Sequence, residues 1–266
     1  MKVLLTGARG NLGSALQRLG LAHTWFNIDR GGWSGYQALV KEAKVIIHAA
    51  SDLLTPIWQS PTQVMESNQT TTLWLLEELA NNPGRRLVFI SSCAVYGRSE
   101  LTTEEITPTP ISINGVTKLL NEEVIREFCT HHRLNYQIFR LFNTYGGSDQ
   151  FSILSHLQRS LKTKQPFTLN NEGMAQRDFI HVDDIARVIL ELIEKPIKYP
   201  IINIGTGSAT RIRDVVEAFK KKHPNLKLAS GQRPEIEYSR ADIAKLRAIL
   251  PDFRFRAVLD FVRLEL

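Results

Sequence analysis

An α/β fold built on a doubly wound parallel sheet, with a smaller C-terminal lobe, is predicted by three features of these 266 residues. Short, nearly continuous apolar runs alternate with segments of helical apolar spacing. Gly7, Gly10 and Gly13 punctuate the passage from the first run into the first helical segment. The alternation then weakens past about residue 145. Strands apolar on both faces belong to a parallel sheet covered by helices, and right-handed crossovers wind that sheet in two directions.

Taken in order, Lys2–Thr6 reads as the first strand, its apolar run too short for the core of a secretory leader. Asn11–Leu19 follows as a helix with Leu12, Leu16 and Leu19 on one face. Thr24–Ile28 and Val45–His48 are the second and third strands. Helical segments at 60–80 and 113–132 flank a strand at 87–91, and 136–141 is a further strand. Segments 165–182, 196–214 and 224–240 read as loops and short strands.

Composition narrows the class. The apolar share of 43% and charged share of 23% are those of an ordinary folded domain with length enough for a buried core. No apolar run approaches the roughly 20 residues that span a bilayer, so no membrane partner is expected. Two cysteines, Cys93 and Cys129, suggest no disulfide framework and fit a reducing cytoplasm. No Cys/His spacing predicts a metal site, and the adjacent His131 and His132 point in different directions on a helix. The net charge of +6 resides in residues 196–266, which hold 14 basic and 8 acidic side chains. That excess suits a diphosphate or a plain solvated surface. Without an aromatic-interleaved basic stripe, no nucleic-acid partner is expected.

The glycines carry chemistry because of their setting between a strand and a helix. Gly7 suits a tight turn, Gly10 lets backbone approach a pyrophosphate, and Gly13 lets helix and strand pack closely. The helix start adds amide donors and a positive dipole end. Asp29 closes the second strand 16 residues later, where a carboxylate would bind ribose hydroxyls and repel a 2′-phosphate. Arg30 follows and can pair a phosphate, so NAD stands ahead of NADP without excluding it.

Thr6-Gly7-Ala8-Arg9-Gly10-Asn11-Leu12-Gly13 and Asn114-Gly115-Val116-Thr117-Lys118 together resemble the extended short-chain dehydrogenases, the NAD-dependent epimerase/dehydratase family. The resemblance covers essentially the whole chain. It implies a Rossmann domain over residues 1–145, its sheet completed by parts of 175–205, and a mainly substrate-binding lobe over 146–266. It implies cofactor contacts at Gly7, Arg9, Gly10, Asn11, Leu12, Gly13, Asp29, Arg30, Ala49, Ala50 and Lys118. Ser92, in the segment Ser91-Ser92-Cys93-Ala94-Val95-Tyr96-Gly97, takes the position of the family's catalytic serine.

One departure dominates. Where the family's second motif is Y-x-x-x-K, this chain has Asn114 and keeps Lys118, and no tyrosine lies between Tyr96 and Tyr136. An amide cannot act as the proton acceptor. Losing a positioned acid/base costs about 10²–10⁴-fold. Tyr145 is a candidate substitute base. The acidic pair of the 4,6-dehydratases is replaced by Cys93 and Ala94, which argues against that reaction.

Further along, Arg140-Leu141-Phe142-Asn143-Thr144-Tyr145-Gly146 resembles R-x-x-N-x-Y-G, implying substrate contact at Asn143. Gln176-Arg177-Asp178-Phe179-Ile180-His181-Val182-Asp183-Asp184 resembles R-D-[FY]-[IV]-H-V-x-D, implying diphosphate binding by Arg177, with Asp178, His181 and Asp184 structural. Arg233 fits a second diphosphate contact, while the acidic ribose contact is absent or displaced to Glu235. The expectation is an NAD(P)-dependent protein acting on a nucleoside-diphosphate sugar by hydride transfer, as a 4-epimerase or 4-keto reductase. The alternative is a catalytically impaired protein that keeps both sites for binding. A homodimer through the helices at 60–80 and 113–132 is expected, with Leu73, Leu76, Leu119 and Val124 as suitable apolar residues.

Overall fold

The computed structural model describes residues 1–28, 33–52, 55–56, 59–99 and 102–266. Its first half runs β1 (Lys2–Thr6), α1 (Asn11–Leu19), β2 (Thr24–Ile28), α2 (Gln37–Glu42), β3 (Val45–His48), α3 (Pro61–Met65), α4 (Thr71–Asn81), β4 (Arg86–Ser92), α5 (Ile113–His131) and β5 (Asn135–Leu141). There follow β6 (Asn143–Tyr145), α6 (Ile153–Thr163), β7 (Phe167–Asn170), β8 (Gln176–His181), α7 (Val182–Ile193), β9 (Ile201–Ile204) and β10 (Ala209–Arg211). The chain closes with α8 (Ile212–Lys222), β11 (Leu228–Gly231), β12 (Tyr238–Ser239), α9 (Ala244–Arg247) and α10 (Val258–Glu265).

Six parallel strands form one sheet in the order β2-β1-β3-β4-β5-β9. Period-two alternation splits its residues between two apolar layers. Val3, Leu5, Ile47, Val88 and Phe139 pack with Ile185, Ile189 and Leu16 on the face covered by α1 and α7. Leu4, Ile46, Leu87, Phe89 and Ile138 pack with Leu75, Leu79 and Ile125 on the face covered by α2, α4 and α5. Each such side chain, fully buried, contributes about 1.5–3 kcal/mol of transfer free energy.

The chain leaves β1 for β2 on one side and reaches β3 on the other, so the winding reverses between β1 and β3. In sheets of this kind the crevice outside the carboxyl ends at that reversal is where ligands sit. The loops after β1, β3, β4 and β5 all emerge at this edge because the strands run parallel.

Beyond residue 145 it is strand length that falls, not helix content. α6, α7 and α8 have 11, 12 and 11 residues, while β8 pairs with the short β6, β10 and β12. A separate apolar cluster of Tyr145, Leu157, Phe179, Val215, Phe219 and Val262 holds this part together. The helix expected over 60–80 contains a wide π-type turn at Glu66–Thr70 between α3 and α4. Among the described residues, no helix is long and apolar enough to cross a membrane, and no group of His, Cys, Asp or Glu is placed to hold a metal ion.

Candidate active site

The turn from β1 to α1 requires its glycines. Gly7 has φ +75°, and a Cβ there would lie 2.8 Å from the Ala50 amide nitrogen, so the turn presses directly on the end of β3. A Cβ on Gly13 would collide with the Gly7 carbonyl and approach Ala8 Cα to 2.8 Å. The Gly10 amide closes the turn on the Gly7 carbonyl at 3.0 Å. No side chain caps α1, which leaves its first amides to the crevice. Arg9 and Gly10 are exposed there, while Leu12 packs inward on the core. Asn11 ties the turn to the loop after β6, donating to the Gly146 carbonyl at 3.0 Å and accepting from the Ser148 amide at 2.8 Å. Asp29 and Arg30 lie outside the described residues.

Ala49 and Ala50 are half-buried beside this turn, and the Ala50 amide donates to the Thr6 hydroxyl at 3.1 Å. Under them His48 is buried between Thr6 Oγ1 at 2.7 Å and Thr72 Oγ1 at 2.8 Å. Burial, reinforced by the Lys118 cation, drives its pKa down to about 3, so the ring is neutral.

Ser92 ends β4, and its Oγ accepts from the Ala94 amide at 3.1 Å, which fixes the hydroxyl at the sheet edge. Ser112 caps α5 through the Gly115 amide. Gly115 lets α5 lie on this strand end: a Cβ would collide with the Ala94 carbonyl. Lys118 is buried, its Nζ donating to the Ile90 carbonyl at 2.8 Å and lying 4.9 Å from the Phe89 ring centroid. Burial lowers its pKa to about 8, against the opposing pull of Glu122. Asn114, one turn earlier on the same helix, has a buried Oδ1 without a hydrogen-bond partner among the described residues. A buried acceptor left unpaired costs about 1–3 kcal/mol, and a ligand hydroxyl at this position would remove that cost.

Behind the site runs a buried polar chain that motif reading missed. Glu122 accepts from Ser91 Oγ and forms a fork with Arg140. The Arg140 guanidinium lies 4.9 Å from the Tyr96 ring centroid, and Tyr96 donates to Asn203 Oδ1 at 2.6 Å. Burial pulls Arg140 down, but the Glu122 carboxylate outweighs it and the net shift is upward. The available signal was spacing, because Glu122 stands four residues after Lys118 on one helical face.

The substrate end holds one correction. Tyr145 is fully buried; its hydroxyl faces the Arg256 carbonyl at 3.4 Å and its ring packs on His181 and Phe261. Burial raises its pKa, so it cannot stand in as the base. Tyr96 is likewise buried and pushed up to about 12 by burial. The side-chain amide of Asn143 donates to the Asp178 carbonyl at 3.0 Å. Asp178 is structural: its carboxylate accepts from the amides of Thr206, Gly207 and Ala241 and from the Thr206 hydroxyl. His181 itself caps α7 through the Asp183 amide, and Asp184 accepts from the Arg256 amide at 2.7 Å. Cys93 borders Arg177, Asp178 and Ser239, and burial raises its thiol to about 11, which keeps it protonated. Arg177 pairs with Glu235 at 3.4 Å, and Arg233 is exposed.

Comparison with known proteins places this arrangement. UDP-glucose 4-epimerase 4 of Oryza sativa subsp. japonica is 29% identical over 218 residues, covering 73% of this chain and 59% of that protein. UDP-glucuronate 4-epimerase of Thermodesulfobacterium geofontis is 30% identical over 202 residues, covering 72% and 61%. The chain thus spans about three fifths of the length of these curated relatives. The solved structure of MoeE5 in complex with UDP-glucose and NAD superposes with a TM-score of 0.83 at 25% identity, covering 98% of this chain and 96% of that one. The model of the NAD dependent epimerase/dehydratase family matches residues 3–205, a span that takes in the glycine turn, Ser92, Lys118 and Arg177 together, and to that family the chain belongs.

Proposed function

We propose that the chain binds NAD in the crevice between β1 and β3 and acts on a nucleoside-diphosphate sugar by hydride transfer at a ring carbon, as a 4-epimerase or 4-keto reductase. The observation that carries this reading is the Gly7–Gly13 turn, where no Cβ fits at Gly7 against Ala49 and Ala50, nor at Gly13 against Gly7 and Ala8. Such a turn, followed by an uncapped helix start, offers room and amide donors to a pyrophosphate. When bound, the nicotinamide cofactor supplies the group that accepts and returns hydride.

The chain's own residues then divide the remaining work. Ser92 Oγ, fixed by the Ala94 amide, orients the sugar oxygen at the reacting carbon. The unpaired Asn114 Oδ1 accepts a hydrogen bond from a substrate hydroxyl, which positions the sugar without taking its proton. Lys118 holds the cofactor ribose and, with a pKa of about 8, is the group on α5 that takes the proton the sugar hydroxyl loses as hydride leaves and returns it on the reverse step. Arg9, Gly10, Asn11 and Leu12 line the start of the cofactor site, Asp29 and Arg30 set the preference for NAD, and Asn143, Arg177 and Arg233 face the sugar nucleotide. Residues 1–145 with β9 make the cofactor domain, and 146–266 mainly the substrate lobe. A homodimer through α4 and α5 completes the proposal.

Calorimetric titration with NAD⁺ and NADPH side by side tests the cofactor half. Micromolar NAD⁺ binding, with weaker NADPH binding, is the expected result, and heat from neither would remove the proposal. The second reading, a binder with little turnover, is favoured by Asn114. It predicts NAD⁺ and UDP binding with no conversion of any UDP-hexose by chromatographic assay.

A further inference from the structure

Arg177 and Glu235 lie 58 positions apart in sequence, on β8 and in the segment that follows β11. Arg177 Nη1 donates to the Gln176 carbonyl at 2.9 Å, and Nη2 donates to Glu235 Oε2 at 3.4 Å. The other carboxylate oxygen, Oε1, accepts from Asn171 Nδ2 at 2.8 Å. The same amide donates to the Arg233 carbonyl at 2.7 Å, and Asn171 Oδ1 accepts from the Arg233 amide at 3.2 Å. Asn171 thus clasps the 233–235 segment at both ends of its own side chain. Asn171 adopts φ +47°, a left-handed conformation that asparagine tolerates better than most residues. The side chains of Arg177 and Glu235 are 15% and 14% exposed, so the pair is largely withdrawn from water yet reachable from it.

We propose that Glu235 is an internal carboxylate that occupies the anion seat of Arg177 and must be displaced by an incoming diphosphate. The inference rests on the reading of Arg177 as a diphosphate contact. The geometry favours exchange. The ion pair is single-pronged and long, whereas a diphosphate presents several oxygens to a guanidinium fork and carries more charge. Burial lowers the Arg177 pKa, Glu235 opposes that shift and the nearby Arg233 adds slightly to it, so a ligand entering here meets two cations once Glu235 withdraws. Release of Glu235 gives up one of its hydrogen bonds with Asn171, while the two bonds from Asn171 to the Arg233 backbone keep the segment in place. An uncharged ligand, a nucleoside or a neutral free sugar, lacks the charge to make this exchange. The contact therefore acts as a charge threshold on the substrate site.

Isothermal titration of the full chain with UDP and with inorganic pyrophosphate tests this. Glu235→Gln keeps a hydrogen-bond acceptor for Asn171 but loses the competing charge. Both probes should bind it about tenfold more tightly than wild type, and Arg177→Gln should lose binding in either background. Unchanged affinity in Glu235→Gln, with Arg177→Gln still impaired, overturns the proposal and leaves the diphosphate reading standing. Weaker UDP binding with unchanged pyrophosphate binding also overturns it and makes Glu235 a ribose contact. No heat from either probe with wild type or Glu235→Gln, while circular dichroism shows both folded, removes the diphosphate reading and the proposal together.

Discussion

Glu122 and Arg140 meet as a buried fork, Nη2 to Oε2 at 2.6 Å and Nε to Oε1 at 3.1 Å, with side chains only 2% and 3% exposed. Removing one partner strands the other charge in a low-dielectric interior. Glu122→Gln should destabilise the fold by about 3–5 kcal/mol, read from urea denaturation followed by circular dichroism. A loss below about 1 kcal/mol would show that water reaches Arg140 after all.

Asn114→Tyr should restore the missing acid/base group beside Lys118. If wild type turns over any UDP-hexose, kcat for that substrate should rise by about 10²–10⁴-fold, with KM changing far less. If wild type is silent, the variant should acquire measurable conversion. No gain on any accepted substrate would mean that Asn114 is not what limits the chemistry.

His48 predicts acid sensitivity, and the sign follows from its depressed pKa. The folded imidazole titrates at about 3, whereas an unfolded chain takes up the proton near the ordinary imidazole value of 6.5. Between those values the unfolded state binds more protons, so stability falls as pH drops, by roughly 1.4 kcal/mol per pH unit. At pH 5 the loss is about 2 kcal/mol relative to pH 7.5. His48→Asn, whatever its absolute stability, should show a correspondingly flatter pH dependence over this range, and an unchanged slope would remove His48 as the cause.

The dimer proposal now has a different set of residues. Leu76 is 1% exposed and packs between α4 and the sheet, so it cannot meet a second chain, and Leu119 and Val124 lean on interior clusters. Leu73, Val116 and Leu120 are 49%, 46% and 43% exposed on the adjacent helices α4 and α5. Light scattering at micromolar concentration should give twice the 30.2 kDa chain mass for wild type. It should give a single chain mass for Leu73→Glu combined with Leu120→Glu. A monomeric wild type would end the proposal.

The sheet was readable because its strands are short apolar runs between helical segments, a pattern local to each element. β1, α1, β2 and β3 have the bounds that this pattern implies. Glycine spacing was legible where Gly10 and Gly13 answer to Gly7 and Ala8 a few residues away, whereas the partners of Gly7, Ala49 and Ala50, lie far along the chain. What escaped is long-range or cryptic. Arg177 carries no mark of its pairing with Glu235, because that contact depends on how two short strands, β7 and β11, align. Tyr145 looked available as a base because a tyrosine in a motif says nothing of which way its hydroxyl points. The wide turn at Glu66–Thr70 has no composition of its own, and only the buried Asn68 within it shows its purpose.

Asn68 uses that turn to reach across to the loop after β3. Its Oδ1 accepts from the Asp52 amide at 2.6 Å and from the Ser51 hydroxyl at 3.1 Å, while its own carbonyl takes a hydrogen bond from Asn121 of α5 at 2.8 Å. One residue is therefore a strut between the rim of the crevice and the two helices whose outer faces carry Leu73 and Leu120. The Ser51–Asp52 rim and α5 are thus tied to one residue by three hydrogen bonds. The mouth of the crevice is thereby framed by the helices as much as by the strand that leads into it.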